Sequence, residues 1–174
     1  MGIGGKLLRR LRAKVEDRPT GFVWVEDQSL AGTGYPASRS QVEWLVKNGI
    51  GSILSLTEEP LPHPWVEGLA LVVEHVPMKD HEAPTVDSMD RGARFIEGEL
   101  KAGRTVAVHC LAGEGRTGCV LSAYLIRTEG LTADQAMAKL RSLKPGFVEP
   151  KQEAVVYDFA TKQGSVRGAP NPMP

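Results

Sequence analysis

Short apolar runs alternate along the chain with longer stretches whose apolar positions recur every three or four residues. The runs are Phe22 to Val25, Ser29 to Ala31, Ile50 to Leu56, Ala70 to Val76 and Thr105 to Val108. They are short, partly β-branched and bounded by turn formers, so they read as strands. Glu26-Asp27-Gln28 makes a plausible hairpin turn between the first two, and Gly32 to Pro36 reads as loop. The periodic stretches read as helices. Ser38, with Gln41 three on, opens one that carries Val42, Leu45 and Val46 and stops at Gly49. Thr85 to Ala102 sets Val86, Met89, Ala93, Ile96 and Leu100 on one stripe. A helix starting near Thr117 is apolar on nearly every side and should therefore be central and buried. Thr132 with Gln135 caps a further helix, closed by Lys144-Pro145-Gly146, and a last one runs from about Pro150 to Ala160. Prolines 60, 62 and 64 make the intervening stretch an irregular surface loop, which Trp65 anchors by core packing. This alternation predicts an α/β fold: a single domain with a central, mostly parallel sheet of about five strands and helices on both faces.

The two ends differ from the rest. Residues 1–18 place five basic residues around Leu7, Leu8, Leu11 and Val15 at helical spacing. That suits a surface helix for anionic membrane or RNA, or, as the favoured alternative, an extra helix packing its leucines on the domain. Residues 164–174, GSVRGAPNPMP, cannot bury a face and are expected to be a disordered tail. The folded domain is expected to span residues 19–163.

The stretch TVAVHCLAGEGRTG, residues 105–118, carries the chemistry. A strand turns through Gly113, Gly115 and Gly118 into a helix N-terminus, whose unpaired N–H groups and positive end attract anions. Cys110 opens the loop, and the same field favours a thiolate there. Arg116 closes it with a planar fork suited to two phosphate oxygens. Gly113 to Gly118 is also a formal GxGxxG dinucleotide fingerprint, but the capped helix and turn that follow replace the second strand and acidic residue it requires.

His109-Cys110, five residues, then Arg116-Thr117-Gly118 resembles the HCxxxxxR[ST]G signature of the cysteine-dependent protein phosphatases. From about Gly21 to Ala160 the element order is similar to the small, atypical dual-specificity and cell-cycle phosphatases. The resemblance implies that Cys110 attacks phosphorus and that Arg116 grips the phosphate. His109, Leu111, Ala112, Gly113, Glu114, Gly115 and Gly118 then form the phosphate-binding loop. Expulsion of an alkoxide or phenoxide needs a general acid from outside that loop. Asp80 is the candidate, 30 residues before Cys110 in the context Val76-Pro77-Met78-Lys79-Asp80, where the family places its acid. Burial beside the phosphate would keep it protonated; His81 and Glu82 are adjacent candidates, and Glu82 is the better substitute of the two. The resemblance further implies a hydrogen bond from Thr117 to the sulfur, a loop-fixing role for His109 and a brace from Glu58 to the loop through Arg116. Gln152 matches a water-positioning glutamine found in parts of the family, with an ordinary surface glutamine as the alternative. Cys119 is expected to be inert packing.

These residues point to hydrolysis of phosphotyrosine, with phosphoserine or phosphothreonine activity beside it, through a metal-independent phosphocysteine pathway without cofactor. Glu114 disfavours a polyanionic headgroup by repulsion. The alternatives are an RNA 5′-phosphatase using the same chemistry, a non-catalytic phosphate-binding module, and sulfur transfer. The last requires neither Asp80 nor the Arg-Thr-Gly ending. Composition narrows the partners further: 21 basic and 21 acidic residues cancel, which predicts no general nucleic-acid binder. Two cysteines make neither a disulfide framework nor a zinc set, so a reduced, cytoplasmic setting is expected. No run approaches the length of a membrane span. The expected partner is a phosphorylated protein or peptide, and the expected state is a monomer.

Overall fold

The apolar run at Thr105 is the middle of the sheet because both of its faces have something to bury. Val106, Val108 and Cys110 point into one hydrophobic cluster and Ala107 into another, the two-residue alternation of a strand covered on both sides. The computed structural model describes residues 17 to 167. In chain order it holds β1 (Val23–Glu26), β2 (Leu30–Thr33), α1 (Arg39–Lys47), β3 (Ile50–Ser55), α2 (His63–Val66) and β4 (Val72–His75). Then come α3 (Val86–Lys101), β5 (Thr105–His109), α4 (Gly115–Glu129), α5 (Ala133–Leu143), a 3-10 turn (Pro150–Gln152) and α6 (Glu153–Arg167).

The strands lie in the order β1-β2-β5-β3-β4. Only β1 and β2 pair antiparallel; the other neighbours are parallel. The α/β architecture read from the periodicity is therefore the one observed. Thr33, His109, Ser55 and His75 fall in one row across the C-terminal ends of the parallel strands, the edge where open α/β sheets gather their ligands. One face carries Val42 and Leu45 of α1, packed with Ala31, Ile53 and Ala107. The other carries α3 to α6, and α4 is buried at every residue from Gly115 to Ile126. Burying a whole helix this way needs apolar side chains all round it.

Several boundaries shift. Gly32 and Thr33 extend β2 instead of starting a loop, because β5 offers their backbone a parallel partner. The proline-rich loop contains α2, with Pro62 as its cap and Pro64 in its first turn, where a missing N–H costs nothing. Trp65 packs there against the smaller cluster and the Tyr35 ring. The helix placed near Thr117 begins at Gly115, and the last helix continues past Ala160 to Arg167. It thus takes up the first residues of the stretch read as a tail. Most of the basic, leucine-bearing stretch at residues 1–18 lies outside the described residues, although Arg18 hydrogen-bonds Phe22 O (2.7 Å) and stacks on its ring. The capping boundaries fall as expected at Ser38, Thr85 and Thr132, whose side chains accept from Gln41, Ser88 and Gln135 N–H.

Candidate active site

The loop leaving β5 is shaped by what stands behind it. Gly113 has φ +70°, and a Cβ there would run into the Thr33–Gly34 backbone. Only glycine meets both demands. Tyr35 N–H donates to Leu111 O (2.9 Å), tying the loop to the end of β2. Where α4 begins, a Cβ at Gly118 would meet Val148 N. Glu114 occupies the cap position of α4 but gives its first turn no side-chain hydrogen bond. The first-turn N–H groups are left for an anion.

His109 is fully buried, its Nδ1 is 3.2 Å from Cys110 O, and the Tyr35 ring meets its edge. Burial, opposed by the Cys110 carbonyl bond and aided by the nearby Arg116 charge, pushes it down to about 4. The imidazole is neutral near pH 7. That fits a loop-fixing role through one ring nitrogen; Nε2 has no hydrogen-bond partner among the described residues.

Cys110 and Arg116 are both almost fully buried, each 3% exposed. They line one cavity of about 110 Å³ together with Asp80, His81, Gly115, Glu149 and Gln152. Asp80 comes from the segment after β4, yet its Oδ1 lies 2.6 Å from Arg116 Nη2, while Nη1 donates to Met78 O (2.9 Å). The aspartate is therefore an ion-pair partner in this state rather than a carboxyl in apolar surroundings. His81, at φ +59°, donates its N–H to Asp80 Oδ1 and places Nε2 3.5 Å from Oδ2. Glu82 turns its carboxylate outward toward Lys79, so it does not compete with Asp80.

Gln152 is buried at the cavity. Its amide donates to Glu82 O (3.0 Å), linking the last turn to the acid loop, and its Oε1 receives Cys119 Sγ at 3.9 Å. It is no surface glutamine. Cys119 itself is packed away, and burial, with the neighbouring Cys110 next in effect, pushes it up to about 12, consistent with inert packing.

Three expectations change at the site. Glu58 is exposed and lines a neighbouring pocket of about 250 Å³ with Tyr35, Leu111, Asp80 and Arg116. The guanidinium bonds go to Met78 and Asp80, so Glu58 does not brace Arg116. Thr117 Oγ1 is buried without a hydrogen-bond partner among the described residues, and no bond reaches the sulfur in this state. Glu114 does not line the cavity. Its carboxylate lies over Gly146 and 3.7 Å from Lys144 Nζ, and the acids at the cavity are Asp80 and Glu149. Glu149, Tyr35 and Lys144 escaped sequence reasoning, whereas His81 stood beside Asp80 as an adjacent candidate.

The fold and sequence are similar to those of known phosphatases. A family model described as the Swiss Army Knife protein DSP-PTPase phosphatase domain matches residues 19–156. The tyrosine-protein phosphatase CDC14 of Saccharomyces cerevisiae is 28% identical over 82% of this chain and 25% of its own length; the chain thus spans a quarter of that relative. The phosphatidylglycerophosphate phosphatase PTPMT2 of Arabidopsis thaliana is 28% identical, over 94% of this chain and 76% of its own. The crystal structure of Tk-PTP in the active form superposes with a TM-score of 0.72 at 28% identity, covering 82% of this chain and 97% of that one. The chain belongs to the DSP-PTPase phosphatase domain family.

Proposed function

We propose that this chain is a thiol-dependent phosphomonoesterase acting on phosphoprotein, with phosphotyrosine the preferred ester. The observation that carries the proposal is the cavity itself, where nucleophile, cationic fork and carboxyl converge from separate parts of the chain. In the first step Cys110 Sγ forms a bond to phosphorus as the P–O bond to the leaving group breaks. The Asp80 proton passes to the leaving oxygen. In the second step Asp80 takes a proton from water, the water oxygen bonds to phosphorus, and the S–P bond breaks to return the thiolate. The freed Thr117 hydroxyl donates to the sulfur as it leaves.

The resting ion pair fits this sequence. Arg116 cannot serve the Asp80 carboxylate and a phosphate dianion equally, so an arriving ester displaces Asp80 from the fork. The displaced carboxyl then stands beside the ester whose leaving oxygen needs a proton in the first step.

The charge around the opening supports a peptide over a polyanionic lipid headgroup. Glu58 and Glu59 line the neighbouring pocket and Glu149 the cavity, and like charges disfavour additional phosphates. Lipid phosphate is the second reading, favoured by the long match to the Arabidopsis phosphatidylglycerophosphate phosphatase. Phosphate release with chelator present, from phosphotyrosine peptide, phosphothreonine peptide, phosphatidylglycerophosphate vesicles and 5′-triphosphorylated RNA, separates these. The highest kcat/KM is expected on phosphotyrosine peptide; a higher value on the lipid would replace the phosphoprotein proposal.

A further inference from the structure

We propose that Lys144, at the end of α5, is a positioning residue that polarises the phosphate-binding loop from behind. This rests on the thiol-dependent phosphatase proposed above. Its Nζ donates to Ala112 O at 3.2 Å and to Gly113 O at 2.9 Å. Those carbonyls belong to the same peptide groups as the Gly113 and Glu114 N–H groups. A cation on the carbonyl side of a peptide pulls electron density toward itself, and the N–H on the other side becomes a stronger donor. A loop that binds an oxyanion with inward N–H groups presents its carbonyls outward, and Lys144 sits on that outer side.

The ammonium is built into place. Its side chain is only 16% exposed, its Nζ lies 5.6 Å from the centre of the Phe147 ring, and Glu114 Oε1 is 3.7 Å away. The turn that aims it is fixed by Arg141, which donates to Phe147 O (3.2 Å), Val148 O (2.6 Å) and Glu153 (2.6 Å). Val148 is β-branched yet has φ +58°, a conformation that persists only where its surroundings impose it. A cation needed only for solubility would call for none of this.

The test is inorganic tungstate binding by calorimetry on the full chain, with thermal melting measured with and without the anion. Wild type is expected to bind one tungstate. Lys144→Met keeps the aliphatic stem and removes the charge; it should bind about tenfold more weakly, roughly the effect of one charge-assisted hydrogen bond, with its anion-free melting temperature little changed. Lys144→Arg, which can again bridge both carbonyls, should recover most of the affinity. If Lys144→Met does not fold, Lys144→Gln keeps one donor without the charge and is expected to show the same loss. Unchanged affinity in the uncharged variants, or a loss that Lys144→Arg does not repair, overturns the inference. Absence of tungstate binding by wild type would instead overturn the underlying site.

Discussion

The loop after β5 and the segment after β4 both reach the same cavity, but by opposite means. Residues 109 to 118 lie between a central strand and a fully buried helix, and Gly113 fits a space that admits no other residue. Met78 is anchored in the main hydrophobic cluster, but residues 79 to 82 beyond it are exposed or half-buried. Asp80 is held by its ion pair with Arg116, and Glu82 by one hydrogen bond from Gln152. Packing fixes a nucleophile and its cradle before substrate arrives, and prepaid orientation is much of what catalysis requires. An ion pair can be exchanged for another ion pair, and in the proposed mechanism that exchange releases Asp80 from Arg116 to the substrate. One half of the site is held by packing, and the other by an ion pair that the proposed mechanism exchanges.

Substitutions can break each half separately. Cys110→Ser should reduce phosphate release to background while leaving the fold intact, measured with phosphotyrosine peptide and by melting. Asp80→Asn should lower kcat on that peptide by roughly a hundredfold or more, the usual worth of a general acid. Gly113→Ala should destabilise the rigid half, by more than about 2 kcal/mol in urea unfolding, because both its φ and its space exclude a methyl group. If Gly113→Ala were as stable as wild type, the loop would not be fixed by packing.

His109 sharpens the same contrast through pH. Its folded value of about 4 lies below the ordinary 6.5, so between these the unfolded chain binds the extra proton. Stability should therefore fall as pH drops from about 6.5 toward 4, by up to ~3 kcal/mol. Glu97, held below its ordinary value by Lys101 and then Arg127, and Glu99, held down by Arg104, contribute fully above 4.5 and lose stability only below it. Urea unfolding across that window should be flatter in His109→Gln. The smallest effect is expected at the tether: Gln152→Ala removes the Glu82 bond and should lower kcat about fivefold, the worth of one neutral hydrogen bond.

The two halves also differ in how legible they were. The strand at Thr105, the all-apolar helix, Cys110 and Arg116 follow from local pattern, because their structure depends on neighbours in sequence. Asp80 was placed by resemblance, and its location in the cavity agrees, but its ion pair with Arg116 spans 36 residues and leaves no local trace. Glu58 was aimed at Arg116 by resemblance alone, yet the Met78 carbonyl and Asp80 take the guanidinium. Glu114 was read as facing substrate because it lies inside the loop; Lys144 and Gly146 draw it to the other side. Lys144 itself looked like the end of a helix. Its bonds to Ala112 and Gly113 cross more than 30 residues of sequence and leave no local trace. Sequence patterns report what packs against near neighbours, and polar contacts made by distant turns lie beyond them.

The most direct test of the phosphocysteine pathway is to quench wild-type protein during turnover of a phosphotyrosine peptide and map the phosphate by mass spectrometry. Phosphate on Cys110, absent from Cys110→Ser together with all turnover, is the expected result. Turnover that persists in Cys110→Ser, or covalent phosphate on a different residue, would contradict it.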